Sequence, residues 1–185
     1  FFDTVIGVDR RQALFAAIDL HAMNERVDMG ENFHDVLAET AANNPDWRNE
    51  LEIWHDRWLD MASPAIPHSV RLMRALQKRG VPVFSLTNFG IETYDLAATK
   101  YSFLHDFDRD FISGHMRLIK PDPAIYQALE DGCGLPPEAL LFTDDRPENI
   151  AAAKARGWQT HLFEGADGWA QRLVAANLLS ADDAA

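Results

Sequence analysis

The sequence has 185 residues, 47% of them hydrophobic and 25% charged. Such a chain folds around one or two cores, which excludes a disordered chain or a small disulfide-stapled scaffold. Its 17 Lys and Arg against 29 Asp and Glu give a net charge of −12, which argues against nucleic-acid and membrane-surface partners because both are anionic.

Cys133 is the single cysteine. It allows neither an intramolecular disulfide nor a cage of several thiolates, and it fits a reducing compartment such as the cytoplasm. No apolar run approaches the ~20 residues that span a bilayer, and no secretory signal is visible.

In chain order, residues 1–66 read as helices only. Leu14, Phe15, Ile18 and Leu20 place one helix near 10–23. Phe33, Val36 and Leu37 place a second near 31–42. Trp47, Ile53, Trp54, Trp58 and Met61 place a third near 46–61. Apolar groups recurring at three and four residues pack such helices together. Past Pro64-Ala65-Ile66-Pro67, short apolar runs alternate with helical patterns. Strands are expected at 81–86, 111–112, 139–143 and 160–163, with helices near 91–101, 122–131, 147–156 and 167–177. Pro67, Pro123 and Pro147 suit first helical positions, and Gly80 and Gly157 suit helix ends. Alternating strands and helices predict an α/β class: a Rossmann-like parallel sheet in residues 67–185 with helices on both faces, preceded by a helical cap over 1–66.

Ligands of such sheets sit beyond the carboxyl ends of the strands. Polar residues collect there. The first strand runs into Thr87-Asn88 and the third into Asp144-Asp145, while Lys120-Pro121-Asp122-Pro123 precedes a helix. Two adjacent carboxylates repel unless a cation holds them, and hard oxygen donors suit Mg²⁺. The same pair ahead of Pro147 also reads as a helix cap favoured by the dipole. Lys120 offers a fixed positive charge. Thr87 and Asn88, followed by a helix start, offer neutral donors to an anion, or form a turn. Taken together, these are the parts of phosphoryl transfer.

Over about residues 66–178 the sequence resembles the haloacid dehalogenase superfamily, within it the small-cap phosphatases of sugar phosphates and similar metabolites. Phe84-Ser85-Leu86-Thr87-Asn88 looks like the second motif of that superfamily. Ile119-Lys120-Pro121-Asp122-Pro123-Ala124-Ile125-Tyr126 looks like the third, and Phe142-Thr143-Asp144-Asp145-Arg146-Pro147-Glu148-Asn149-Ile150 like the fourth. The resemblance implies a hydrolase in which an Asp attacks phosphorus to give an aspartyl-phosphate, a second Asp serves as general acid and base, and Mg²⁺ shields the charge. It implies Asp145 and Asp144 as metal ligands and Thr87, with Asn88, as holders of the phosphoryl group. Lys120 would steady nucleophile and phosphate, and Asn149 would stand behind the metal ligands or simply in the first helical turn. The implied partner is a small phosphorylated substrate.

One part of the pattern is missing. The first motif, an apolar strand ending Asp-x-Asp, is nowhere in the sequence. Asp3 follows only Phe1 and Phe2, and position 5 is Val5. The expectation is a further segment ahead of Phe1, one strand plus a loop of roughly 15–20 residues, without which the chain should not form an aspartyl-phosphate. The nearest rival is a 2-haloacid dehalogenase, for which Asp144-Asp145 would place unneutralised charge beside a carboxylate substrate. A non-catalytic domain that binds phosphate or metal is a rival of another class. There is no Gly-x-Ser-x-Gly, Gly-x-Gly-x-x-Gly or phosphate-loop lysine motif.

Overall fold

The computed structural model describes all residues Phe1–Ala185. In chain order the elements are α1 (Phe2–Val5), α2 (Val8–Ala17), α3 (Leu20–Asp28), α4 (Phe33–Asn43), α5 (Arg48–Asp56), α6 (Trp58–Met61), α7 (Pro67–Lys78), β1 (Phe84–Thr87), α8 (Ile91–Lys100), β2 (Arg109–Ile112), α9 (Ser113–Met116), α10 (Pro123–Cys133), β3 (Leu141–Asp144), α11 (Pro147–Ala155), β4 (Gln159–Leu162) and α12 (Ala166–Ala175). No helix is long and apolar enough to cross a membrane.

The chain divides into two compact units. The first comprises Phe1–Ala65, Asn88–Tyr101 and Ile112–Arg117, and the second comprises Ile66–Thr87, Ser102–Phe111 and Leu118–Ala185. The break at Ala65/Ile66 falls where the sequence pattern changes. Two later segments, one of them helix α8, also belong to the first unit, because they pack on its helices rather than on the strands that precede them.

The first unit is helical. The single helix expected near 10–23 is two, since Ile18 is extended (φ −123°) and the Asp19 carboxylate accepts the Ala22 N–H at 2.9 Å, capping α3. A side-chain acceptor at this position satisfies one of the orphan donors of a helix start and so begins a new helix. The stretch near 46–61 is likewise divided, into a 3₁₀ turn at Pro45–Trp47 followed by α5 and α6. Leu14, Met23, Val27, Phe33, Val36, Leu37 and Leu51 form the buried core, with Trp47, Trp54 and Trp58 packed against it.

The second unit holds the strands. β3 and β4 are parallel, with Leu141 opposite Gln159 and Asp144 opposite Leu162. β1 and β2 form a separate two-stranded sheet. Ser85 Oγ donates to Asp110 Oδ1 at 2.6 Å within this pair, and the Val83 N–H donates to Asp108 Oδ2. The expected single sheet is therefore two ribbons, because neither β1 nor β2 pairs with β3 or β4. All four residues of β3 are half-buried, where a central strand of a parallel sheet is covered on both faces. Leu72 and Leu76 of α7 pack against Ala170 and Leu173 of α12, and Gly80 follows α7 with φ +74°, a left-handed conformation that glycine adopts without strain.

Candidate active site

The carboxyl ends of β1 and β3 are tied by one side chain. Lys120 Nζ donates to the Leu86 backbone carbonyl and to Asp144 Oδ2, each at 2.7 Å. The Lys120 and Asp144 side chains are 8% and 7% exposed. The ammonium also lies 5.6 Å from the Phe142 ring centroid. Lys120 reaches inward from the loop that ends at Asp122, whose carboxylate caps α10 by accepting the Ala124 N–H.

Asp144 is saturated with donors. Its second oxygen, Oδ1, accepts the Arg146 N–H at 2.8 Å and Asn149 Nδ2 at 2.9 Å. Asn149 is 3% exposed, and its own carbonyl accepts the hydroxyl of fully buried Tyr126 at 3.0 Å. Burial pushes the Tyr126 phenol above its usual range, and the carboxylates of Asp144 and Glu148 push it further. A string of polar groups thus runs from Tyr126 through Asn149 and Asp144 to Lys120. A buried ion pair needs such additional hydrogen bonds to offset its desolvation.

Asp145 differs from its neighbour. It is exposed, and no hydrogen bond or ion pair engages its carboxylate. Thr87 is half-buried, its hydroxyl likewise unengaged, one residue beyond the Leu86 carbonyl that Lys120 holds. Thr87, Lys120, Asp144, Asp145 and Asn149 all belong to the second unit, whereas Asn88 begins a segment of the first. Lys120 and Asn149 each hydrogen bond to Asp144, Asp145 and Thr87 have no side-chain partner, and Asn88 belongs to a different packing environment.

No group of three or more His, Cys, Asp or Glu side chains is placed to cage an ion. The rim offers two adjacent carboxylates, one engaged and one free. That fits Mg²⁺, which keeps several waters and is held by one or two carboxylates plus substrate phosphate oxygens. The capping alternative for the acidic pair does not hold: α11 starts from Arg146 with no side-chain cap, and Asp144 Oδ1 accepts the N–H of Arg146 itself, ahead of the first turn. The Leu86 carbonyl is a partner that sequence reasoning missed; a backbone acceptor leaves no residue-type signal.

A family model for haloacid dehalogenase-like hydrolases matches residues 5–157. Enolase-phosphatase E1 of Shewanella denitrificans is 29% identical over 126 residues, which are 64% of this chain and 54% of that protein. Haloacetate dehalogenase H-2 of a Moraxella species is 30% identical over 87 residues, 47% of this chain and 39% of that protein. The chain thus spans about half or less of the length of these curated relatives. A solved HAD family enzyme from Bacteroides thetaiotaomicron superposes with a TM-score of 0.65 at 17% identity, covering 92% of this chain and 86% of that one.

Proposed function

The chain belongs to the haloacid dehalogenase-like hydrolase family, and from that membership we propose that it acts as a Mg²⁺-dependent phosphatase of small phosphorylated metabolites. The observation that carries this reading is the pairing of a free, exposed Asp145 carboxylate with a buried Lys120–Asp144 ion pair at the end of β3. A rim with an anionic and a cationic part suits a phosphate monoester and its counter-ion. Asp145 would hold the Mg²⁺, with Asp144 behind it. When bound, the ion supplies charge neutralisation at the phosphoryl oxygens. The similarity to an enolase-phosphatase supports the same reaction class.

Each residue then has a task. The Thr87 hydroxyl donates to a phosphoryl oxygen, and Asn88, next in the chain, supplies a further donor. Lys120 makes the potential at the rim more positive and fixes Asp144. Asn149 orients Asp144 by holding Oδ1. This reading requires as nucleophile an Asp at the end of an apolar strand, which the 185 residues do not supply: the two Asp-x-Asp triplets present, Asp106-Phe107-Asp108 and Asp108-Arg109-Asp110, precede and open β2 and do not end such a strand. The carboxylate oxygen of that Asp bonds to phosphorus as the bond to the leaving alcohol breaks. Water then cleaves the aspartyl-phosphate, releasing phosphate and restoring the carboxylate.

The test uses the protein carrying that strand. Phosphate release from a panel of sugar phosphates should require Mg²⁺, and Asp145→Asn should abolish it. Halide release from 2-haloacids with no phosphatase turnover would replace this reading with the dehalogenase. The free Asp145 carboxylate argues against that outcome, since it would repel a haloacid carboxylate.

A further inference from the structure

The first unit carries a cavity of about 490 Å³ lined by Phe1, Phe2, Phe15, Trp54 and Trp58. Small-molecule sites measure about 300–1,000 Å³ and are lined mainly by apolar and aromatic side chains. Five of the nine residues around this cavity are aromatic, where 10% of the chain is.

Local structure brings the rings together. α1 and α2 meet at Gly7, whose φ of +84° turns the chain in a way glycine adopts without strain. The turn returns Phe15 to Phe2, ring centroids 6.3 Å apart and edge-to-face. Phe1 meets Phe2 edge-on at 5.1 Å, and Phe2 lies 5.6 Å from Trp54. Leu14 takes the core position of α2 and is wholly buried. One residue on, a helix has turned by about 100°, so Phe15 cannot share that position and stays 50% exposed. On α5, Leu51 fills the core, and Trp54, three residues later, packs against the same cluster. A half-exposed phenylalanine beside four other rings is apolar surface that a further ring would cover.

The polar groups at the cavity narrow the ligand. Arg11, one turn before Phe15, donates from Nε to Asp3 Oδ1 at 2.8 Å. The two charges cancel, so neither an ammonium nor a carboxylate finds an uncompensated counter-ion there. The net charge of −12 further disfavours an anion. Trp54 sets the second limit. Its indole Nε1–H is buried and has no acceptor within the protein, whereas a buried indole N–H ordinarily has one. We propose that this cavity binds a small uncharged aromatic compound bearing a hydrogen-bond acceptor, of which aryl ketones are the simplest kind. The ligand ring covers Phe15, and its acceptor takes the Trp54 indole N–H. Every residue of the site belongs to the first unit, and the assignment does not rest on the phosphatase reading.

The experiment titrates the full-length protein, including whatever residues precede Phe1. The probes are 2-acetylnaphthalene and the anion 2-naphthoate. The ketone should bind with a Kd on the order of 100 μM, and 2-naphthoate about tenfold more weakly. In a proton–nitrogen correlation spectrum the Trp54 indole N–H resonance, identified by its loss in Trp54→Phe, should move downfield as the ketone is added. The indole resonance of Trp158, whose Nε1 already donates to Glu130, should stay in place. Phe15→Ala truncates a half-exposed ring outside the core and should weaken the ketone about tenfold. If Trp54→Phe does not fold, the loss in Phe15→Ala and the preference over 2-naphthoate decide. No binding of the ketone to the full-length protein would overturn the proposal, including the case in which residues ahead of Phe1 fill the cavity. So would 2-naphthoate binding as tightly as the ketone, a Trp54 indole resonance that does not move, or an affinity unchanged in Phe15→Ala.

Discussion

Lys120 Nζ lies 2.7 Å from Asp144 Oδ2, and the two side chains are buried together while Asp145, one residue on, points its carboxylate to solvent without a partner. Two chemically identical neighbours therefore sit in opposite environments. Asp144 belongs to the internal electrostatics of the second unit. Asp145 is available to whatever the rim binds.

Stability should separate the pair. Lys120→Met leaves the Asp144 carboxylate buried without its cation and should cost about 3–5 kcal/mol. Asp145→Asn removes an exposed, unpaired charge and should change stability by less than about 0.5 kcal/mol. Urea denaturation of the 185-residue chain reads both. Equal losses in the two variants would contradict the burial difference.

Folding should also respond to pH through Asp28. Burial raises its carboxyl to about 6 when folded, against about 3.9 in an unfolded chain. The folded state therefore binds the proton more tightly. The stability contributed by that proton is full below about pH 4 and is lost as pH rises through 6. Asp28→Asn should melt a few degrees above wild type at pH 8, with the gap closing toward pH 4. Thermal melts across this range check it; a gap that does not vary with pH would refute the assignment.

Tyr126→Phe removes the hydroxyl that donates to the Asn149 carbonyl. The loss should be about 1 kcal/mol, with the Tyr126 ring packing against Phe142 and Trp158 retained. Chemical denaturation measures the loss, and amide shifts at Asn149 and Arg146 should report the slackened contact to Asp144.

Gly114→Ala introduces a Cβ 2.8 Å from the Phe89 carbonyl and 3.0 Å from the Ile91 N. Both neighbours are backbone and cannot turn aside, so the junction must open, costing about 1–3 kcal/mol. Faster hydrogen exchange at Phe89 and Gly90, with exchange in β3 and β4 unchanged, is the expected signature.

Much of the fold was legible because local chemistry decides it. Proline at helix starts placed α7, α10 and α11, and apolar runs ending in Thr or Asp located β1 and β3 to within three residues. The split between α2 and α3 was missed because Ile18 continues the apolar spacing, while Asp19 ends it by capping. The parallel sense of β3 and β4 was legible from the alternation of strands and helices, but the separation into two pairs was not, since it depends on contacts between distant segments. The unlike fates of Asp144 and Asp145 follow from where β3 ends: Asp144 is its last residue, whereas Asp145 lies in the bend beyond it, a boundary that the run of two identical residues does not mark. The hydrogen bond from Ser113 to the Asp28 backbone carbonyl gave no signal, since it spans 85 residues of sequence.

The two-ribbon arrangement has a bearing on how the chain behaves among its own copies. Every strand has a single neighbour, so all four present a row of backbone donors and acceptors along one border. In β3 that border lies beside Leu140-Leu141-Phe142-Thr143, an apolar, uncharged run without proline. Borders of this kind template further pairing between molecules. Concentrated solutions of the 185-residue chain should accordingly self-associate through β3, and a lysine at Leu141 or Thr143 should keep them monodisperse.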